Sequence, residues 1–174
     1  MIVSLLCQIF LKFTAMKNKL SILMMVFSLS GALLISSCRP ENATQVLVER
    51  ESRYDFAHTV ETLKSSALEA GWTIPIVHDM QANMHRAGVT VLPATIVELC
   101  HSGFAGELLS SEMDRYNLAI LPCRVAVFEK ADGKTYVSWM DYSRFSANEH
   151  GISLNVFRVV SSEMEEIVGK VVRP

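Results

Sequence analysis

Leu121-Pro122-Cys123-Arg124-Val125-Ala126-Val127-Phe128-Glu129-Lys130-Ala131-Asp132-Gly133-Lys134-Thr135-Tyr136-Val137-Ser138-Trp139-Met140 holds two runs rich in β-branched and aromatic residues with a polar stretch between them. Residues 123–128 and 135–140 have the composition and alternation of strands. The intervening 129–134 carries Asp132-Gly133, a pair that tolerates the positive backbone angles of a hairpin turn. A hairpin at this place predicts an antiparallel sheet, and the remaining elements have to be arranged around it.

Working outward, Ala94-Thr95-Ile96-Val97-Glu98-Leu99 reads as a strand with little alternation, the pattern of burial on both faces. Residues 45–51 alternate as Gln-Val-Leu-Val-Glu and read as another strand. Between these two, Asp55 is placed to cap a helix in which Phe56, Val60, Leu63, Ala67 and Ala70 fall at helical steps, with Gly71 just past its end. Residues 72–77 read as a short strand interrupted by Pro75, which places it at an edge or a bulge. His78-Asp79 then opens a short helix, capped by Asp79 and ending near Gly88. A helix over 103–110, a polar loop over 111–117 and a final helix over 156–172 complete the order, the last despite the β-branched Val159, Val160, Val168, Val171 and Val172. This succession predicts a single α+β domain over 45–174, with helices packed on one face of a mostly antiparallel sheet.

Composition fits one such domain. The chain has 174 residues, 50% hydrophobic and 20% charged, too apolar and too evenly charged for disorder throughout and too short for two large domains. Its 16 basic and 18 acidic residues give a net charge of −2, without the positive excess that attracts phosphate backbones, so nucleic acid is not an expected partner. Residues 1–37 contribute Lys12, Lys17 and Lys19 and no acidic residue, which leaves the rest of the chain distinctly acidic.

The N-terminal part reads as an address. From Met16 a short basic region precedes an apolar run from Leu20 to Ile35, then small residues, then Cys38, the layout of a secretory signal peptide over 16–37. Ile35-Ser36-Ser37-Cys38 resembles the bacterial lipobox. That resemblance implies cleavage after Ser37, lipid on the Cys38 sulfur and acylation of the new amino terminus; several acyl chains on one residue anchor a protein stably in a membrane. Residues 1–15 form a second apolar stretch ahead of a complete signal, as a mis-called N-terminal extension would, and this removes Cys7 from the count. Residues 38–44 form a tether. Arg39 stands where an Asp resembles an inner-membrane retention signal, so the expected location is the cell envelope, facing the periplasm, on the outer membrane if the host has two.

From Ser52 to about Ser143 the order of features resembles the family called domain of unknown function 302. The resemblance is carried by the Phe56 helix ending Ala70-Gly71-Trp72, by His78-Asp79, Gly88 and Val97-Glu98-Leu99-Cys100, by Ala105, and most specifically by Leu121-Pro122-Cys123 running into Asp132-Gly133-Lys134. It implies a compact α+β homodimer with a curved sheet similar to the TATA-binding-protein fold, and no activity established for the family as a class. Exported members have Cys-Asn-Pro where this chain has Cys100-His101-Ser102, which keeps the cysteine, replaces the turn-forming pair and adds an imidazole.

Two thiols then remain for chemistry. Cys100 closes the 94–99 strand and Cys123 opens the 123–128 strand, so their ends meet if the strands are antiparallel neighbours. A structural disulfide, buried unpaired thiols and a functional thiol site all stay open, in that order for an oxidising compartment. His78, His85, His101, Met80 and Met84 supply further donors. Cys100 and Cys123 with His78 and His101 form a candidate zinc set, and thiolate with thioether a candidate copper set. No Cys-x-x-Cys, haem-attachment or His-Glu-x-x-His spacing occurs, and Ser102 lies outside a nucleophile elbow. Arg115 and Tyr116 read as a solvated connection. With no catalytic residue assigned, the expectation is a non-enzymatic, lipid-anchored envelope protein that binds a small ligand or an envelope partner. The alternative is an envelope thiol or copper-binding redox protein using Cys100 and Cys123.

Overall fold

The computed structural model describes residues 45–174; the extension at 1–15, the signal segment at 16–37, Cys38 and the tether to 44 lie outside the described residues. Five strands, β1 (Leu47–Glu51), β2 (Val77–Asp79), β3 (Ala94–Leu99), β4 (Cys123–Glu129) and β5 (Thr135–Met140), form a curved sheet in the order β1-β5-β4-β3-β2. Every pairing is antiparallel. The helices are α1 (Phe56–Glu69), α2 (Met80–Arg86), α3 (Ser102–Ser110), α4 (Tyr142–Phe145) and α5 (Gly151–Gly169), with 3₁₀ turns at Arg115–Ile120 and Ser146–Asn148. The architecture is α+β, and among the described residues no helix is long and apolar enough to cross a membrane.

Local chemistry sets the boundaries. The hairpin between β4 and β5 turns at Gly133, whose φ of 75° is open to a residue without a Cβ. The Asp132 carboxylate accepts the Lys134 N–H at 3.0 Å and the Tyr136 hydroxyl at 2.7 Å, closing the turn. Asp55 accepts the His58 N–H at 2.9 Å and so caps α1, and Asp79 accepts the Ala82 N–H at 2.8 Å and caps α2. The start of α5 is capped from a distance: the Asp114 carboxylate accepts both the backbone N–H and the hydroxyl of Ser153.

Side chains on one face of the sheet, Val97, Leu99, Val125, Val127, Val137 and Trp139, are at most 2% exposed. Leu63 and Ala67 of α1, Leu108 of α3, and Phe157, Met164 and Ile167 of α5 join them in one core. Each large side chain buried there contributes about 1.5–3 kcal/mol.

Several expectations are corrected. Ala94–Leu99 is the strand expected, yet it is not buried on both faces: Ala94 and Ile96 are half-buried because helices cover one side only. In the 72–77 segment Thr73 bridges to Cys100 and the Ile76 carbonyl accepts the Glu98 N–H at 3.0 Å, but the ladder proper begins only at Val77, since Pro75 has no N–H to give to it. His78 therefore lies in β2 rather than in the helix. The final helix runs over Gly151–Gly169, not 156–172, and beyond it Val172 bridges to Ser52. Part of the expected polar loop is the Arg115–Ile120 turn.

The two ends of the domain are joined. The Ser52 hydroxyl donates to the Val171 carbonyl at 3.1 Å, the Arg53 guanidinium donates to the carbonyls of Gly169 and Val172, and the Arg173 N–H donates to the Glu51 carbonyl at 2.9 Å.

Candidate functional site

Strand alternation sends every second side chain to the face without helices. One row across it pairs His78 with Ile96, Ile96 with Ala126, Ala126 with Ser138, and Ser138 with Glu49. Toward the hairpin this face is filled: Phe128 stacks on Tyr136 at 6.2 Å, Lys130 lies 4.1 Å over the Tyr136 ring and pairs with Glu49, and Lys134 pairs with Glu51 at 2.8 Å. Toward the other end Ala126 and Ser138 stand side by side, and two small side chains at the middle of a curved sheet leave space above them. The result is a depression of about 320 Å³ floored by Ile96, Ala126, Ser138 and Met140. Leu47, Ala119, Ile120, Pro122, Trp139, Tyr142 and Arg124 complete its walls.

Beside the depression sits Glu98, 6% exposed and the one charged residue of β3. A carboxylate at that depth needs partners. The cross-strand geometry supplies them, because Arg124 is directly opposite Glu98 in the ladder and His78 is diagonal to it on the other side. His78 Nε2 is 3.0 Å and Arg124 Nε 3.5 Å from the same oxygen, Glu98 Oε1. The Arg124 side chain is 64% exposed, so the pair joins a buried anion to a solvent-facing cation. This group escaped the sequence reading, although a lone Glu in an apolar strand was its signal.

The thiols lie on the other side. Leu99 is directly opposite Cys123, so the ends of β3 and β4 meet as expected of antiparallel neighbours. Among the described residues Cys100 and Cys123 are not joined in a disulfide. Burial pushes the Cys123 thiol up to about 11, opposed by a hydrogen bond with Tyr142 and reinforced by the nearby Cys100. Burial likewise raises the Tyr142 phenol well above its ordinary range. At neutral pH Cys123 is thus a protonated, apolar-packed group and a poor nucleophile.

His101 behaves as an aromatic plug. Its ring stacks on Phe104 at 4.2 Å and meets Trp72 edge-on at 5.7 Å, while its buried Nδ1 has no hydrogen-bond partner among the described residues. Gly103 permits this position, since a Cβ there would come within 3.1 Å of the imidazole. Cys100, His101 and Cys123 border a void of about 20 Å³, room for no more than one water molecule. His78 is on the opposite face with Glu98, so the candidate zinc set Cys100, Cys123, His78 and His101 is not brought together. Among the described residues no three His, Cys, Asp or Glu side chains gather so as to hold a metal ion. His85 lies on α2, beside a more polar surface depression of about 400 Å³ that Asp79 and Arg86 also line.

Arg115 and Tyr116 are tied down rather than loose. The Arg115 guanidinium donates to the Leu109 carbonyl at 3.1 Å and the Tyr116 hydroxyl to Glu149 at 2.6 Å.

Fold and site together define an α+β sheet domain with one face sealed by helices and the other open around a buried carboxylate. The chain belongs to the DUF302 family: the model of that family, described as domain of unknown function DUF302, matches residues 48–171. It is similar to a solved structure described as an uncharacterized conserved protein DUF302 from Bacillus stearothermophilus, with a TM-score of 0.63 and 15% identity, over 72% of this chain and 98% of that one. That likeness establishes the fold. The matched region takes up nearly all of the solved Bacillus chain. Comparison with curated proteins finds no match.

Proposed function

We propose that the protein is exported, anchored in the cell envelope through lipid on Cys38, and that its domain holds a small ligand without chemical turnover. The observation that carries the binding part is the depression over Ala126 and Ser138. At about 320 Å³ it falls within the range of small-molecule sites, and it has their composition, mostly apolar walls with one charged group. Among the described residues its lining offers no nucleophile with a base beside it, which favours binding over catalysis. The anchoring part is supported by the order of a basic region, an apolar run and Ile35-Ser36-Ser37-Cys38. A tether over 38–44 then reaches at most about 25 Å, so the domain rides close to the membrane.

Both parts are testable, the anchor in the native host and the binding on the purified domain. Metabolic labelling with an alkyne palmitate is expected to mark the wild type and not Cys38→Ala; label that survives the substitution, or never appears, removes the anchor. For binding, a fragment screen read by NMR on residues 45–174 is expected to move the amide signals of Ile96, Ala126 and Ser138, and Ala126→Trp to abolish those shifts by filling the space. A screen that leaves those signals in place, or a specific turnover by the purified domain, overturns the binding reading.

A further inference from the structure

We infer that the depression takes an amphiphilic monoanion, a carboxylate on a short aliphatic or aryl body, with Arg124 as its anchor; this rests on the ligand-binding reading above.

Among the described residues Arg124 is the only charged one lining the depression, and the rest of the lining is largely apolar, with the Ser138 hydroxyl on its floor and the Tyr142 hydroxyl engaged by Cys123. A ligand matching that wall has one charge, of negative sign, and an apolar remainder. Glu98 contacts the guanidinium at Nε, at 3.5 Å, and the Arg124 side chain is 64% exposed; the outer N–H groups of a guanidinium bind a planar anion through two parallel hydrogen bonds.

Glu98 serves as a positioning residue. It holds the fork from the β3 side, is 6% exposed, and does not itself line the depression, so it presents little surface to an arriving carboxylate. Its charge is shared with His78, whose Nε2 contacts the same Oε1 at 3.0 Å. A cationic ligand finds no exposed acceptor of opposite charge on these walls. A neutral one leaves the guanidinium unmatched.

The test compares octanoate, octanol and octylammonium, each below its aggregation limit, by NMR titration of residues 45–174, followed at Ile96, Ala126, Ser138 and Met140. Octanoate is expected to bind at least about tenfold more tightly than octanol, the factor a charge-assisted hydrogen bond supplies. Arg124→Gln is expected to bring octanoate down to the octanol level, and Arg124→Lys to retain part of the preference. Because Arg124→Gln leaves Glu98 with one partner fewer, the double variant Arg124→Gln/Glu98→Gln serves as the folded control. Octanol binding as tightly as octanoate, or octylammonium binding best, overturns the anion assignment while leaving the binding site in place. If none of the three moves these signals, the anion assignment and the ligand-binding reading fall together. Shifts that follow protein concentration alone indicate a second copy on this face and overturn the proposal.

Discussion

On the helix side of the sheet Val97, Val125 and Val137 are fully buried, whereas their neighbours in sequence, Ile96, Ala126 and Ser138, are half-buried on the other side. The same three strands thus carry two environments one residue apart. On the covered side the chain uses branched and aromatic side chains that interlock with α1, α3 and α5, and stability is concentrated there. On the open side it places small residues in the centre, an ion-paired aromatic cluster at one end and a buried carboxylate near the other. The contrast separates what holds the domain together from what it can offer to another molecule.

The sharpest way to break this contrast is to truncate on each side. Phe157→Ala is expected to cost about 3–5 kcal/mol of unfolding free energy, whereas Ser138→Ala on the open face should stay within about 0.5 kcal/mol. Denaturant unfolding of the two variants checks this, and comparable losses would erase the distinction between the faces.

A smaller effect is expected where the open face is itself buried. Glu98→Ala deletes the group that joins β2, β3 and β4 on that side, and a loss of about 1–3 kcal/mol is expected, with the variant still folded. A loss as large as that of Phe157→Ala would make the ionic group part of the core.

The smallest effect concerns the distant cap of α5. Hydrogen bonds from Ser111 and Ser153 hold the Asp114 carboxyl below its ordinary value of 3.8. A carboxyl lowered in the folded state stabilises it above the unfolded-state value and loses that contribution as pH falls through the folded-state value. Stability of the wild type should therefore drop below about pH 4, and Asp114→Asn should flatten that acid limb. An unchanged limb in the variant would show that the cap carries no ionic contribution.

How much of this was visible in advance depends on the range of the interaction. The Asp132-Gly133 turn, the caps at Asp55 and Asp79, and the strand over Ala94–Leu99 are set by residues within a few positions of one another, and each was placed correctly. The start of α5 was missed because its cap is not local: His150 makes no side-chain capping bond, and the acceptor for Ser153 comes from Asp114. A sequence window around Gly151 contains no trace of it. The same reason hid the open-face group. Glu98, Arg124 and His78 lie in three strands, and only the ladder register brings them to one oxygen. The ends of β3 and β4 at Cys100 and Cys123 meet because these strands are antiparallel neighbours, a condition the sequence left open, and sequence could not show that His78 faces away from them.

One consequence follows from the joined ends of the domain. β1 finds its partner only when β5 has been made, some 90 residues later, and the bonds of Glu51, Ser52 and Arg53 with Gly169, Val171, Val172 and Arg173 wait for about 30 residues more. At typical elongation rates that interval is on the order of 5–20 s, during which β1 waits unpaired. Contacts this distant in sequence also slow folding itself. Among the described strands, the one made first is therefore the one secured last.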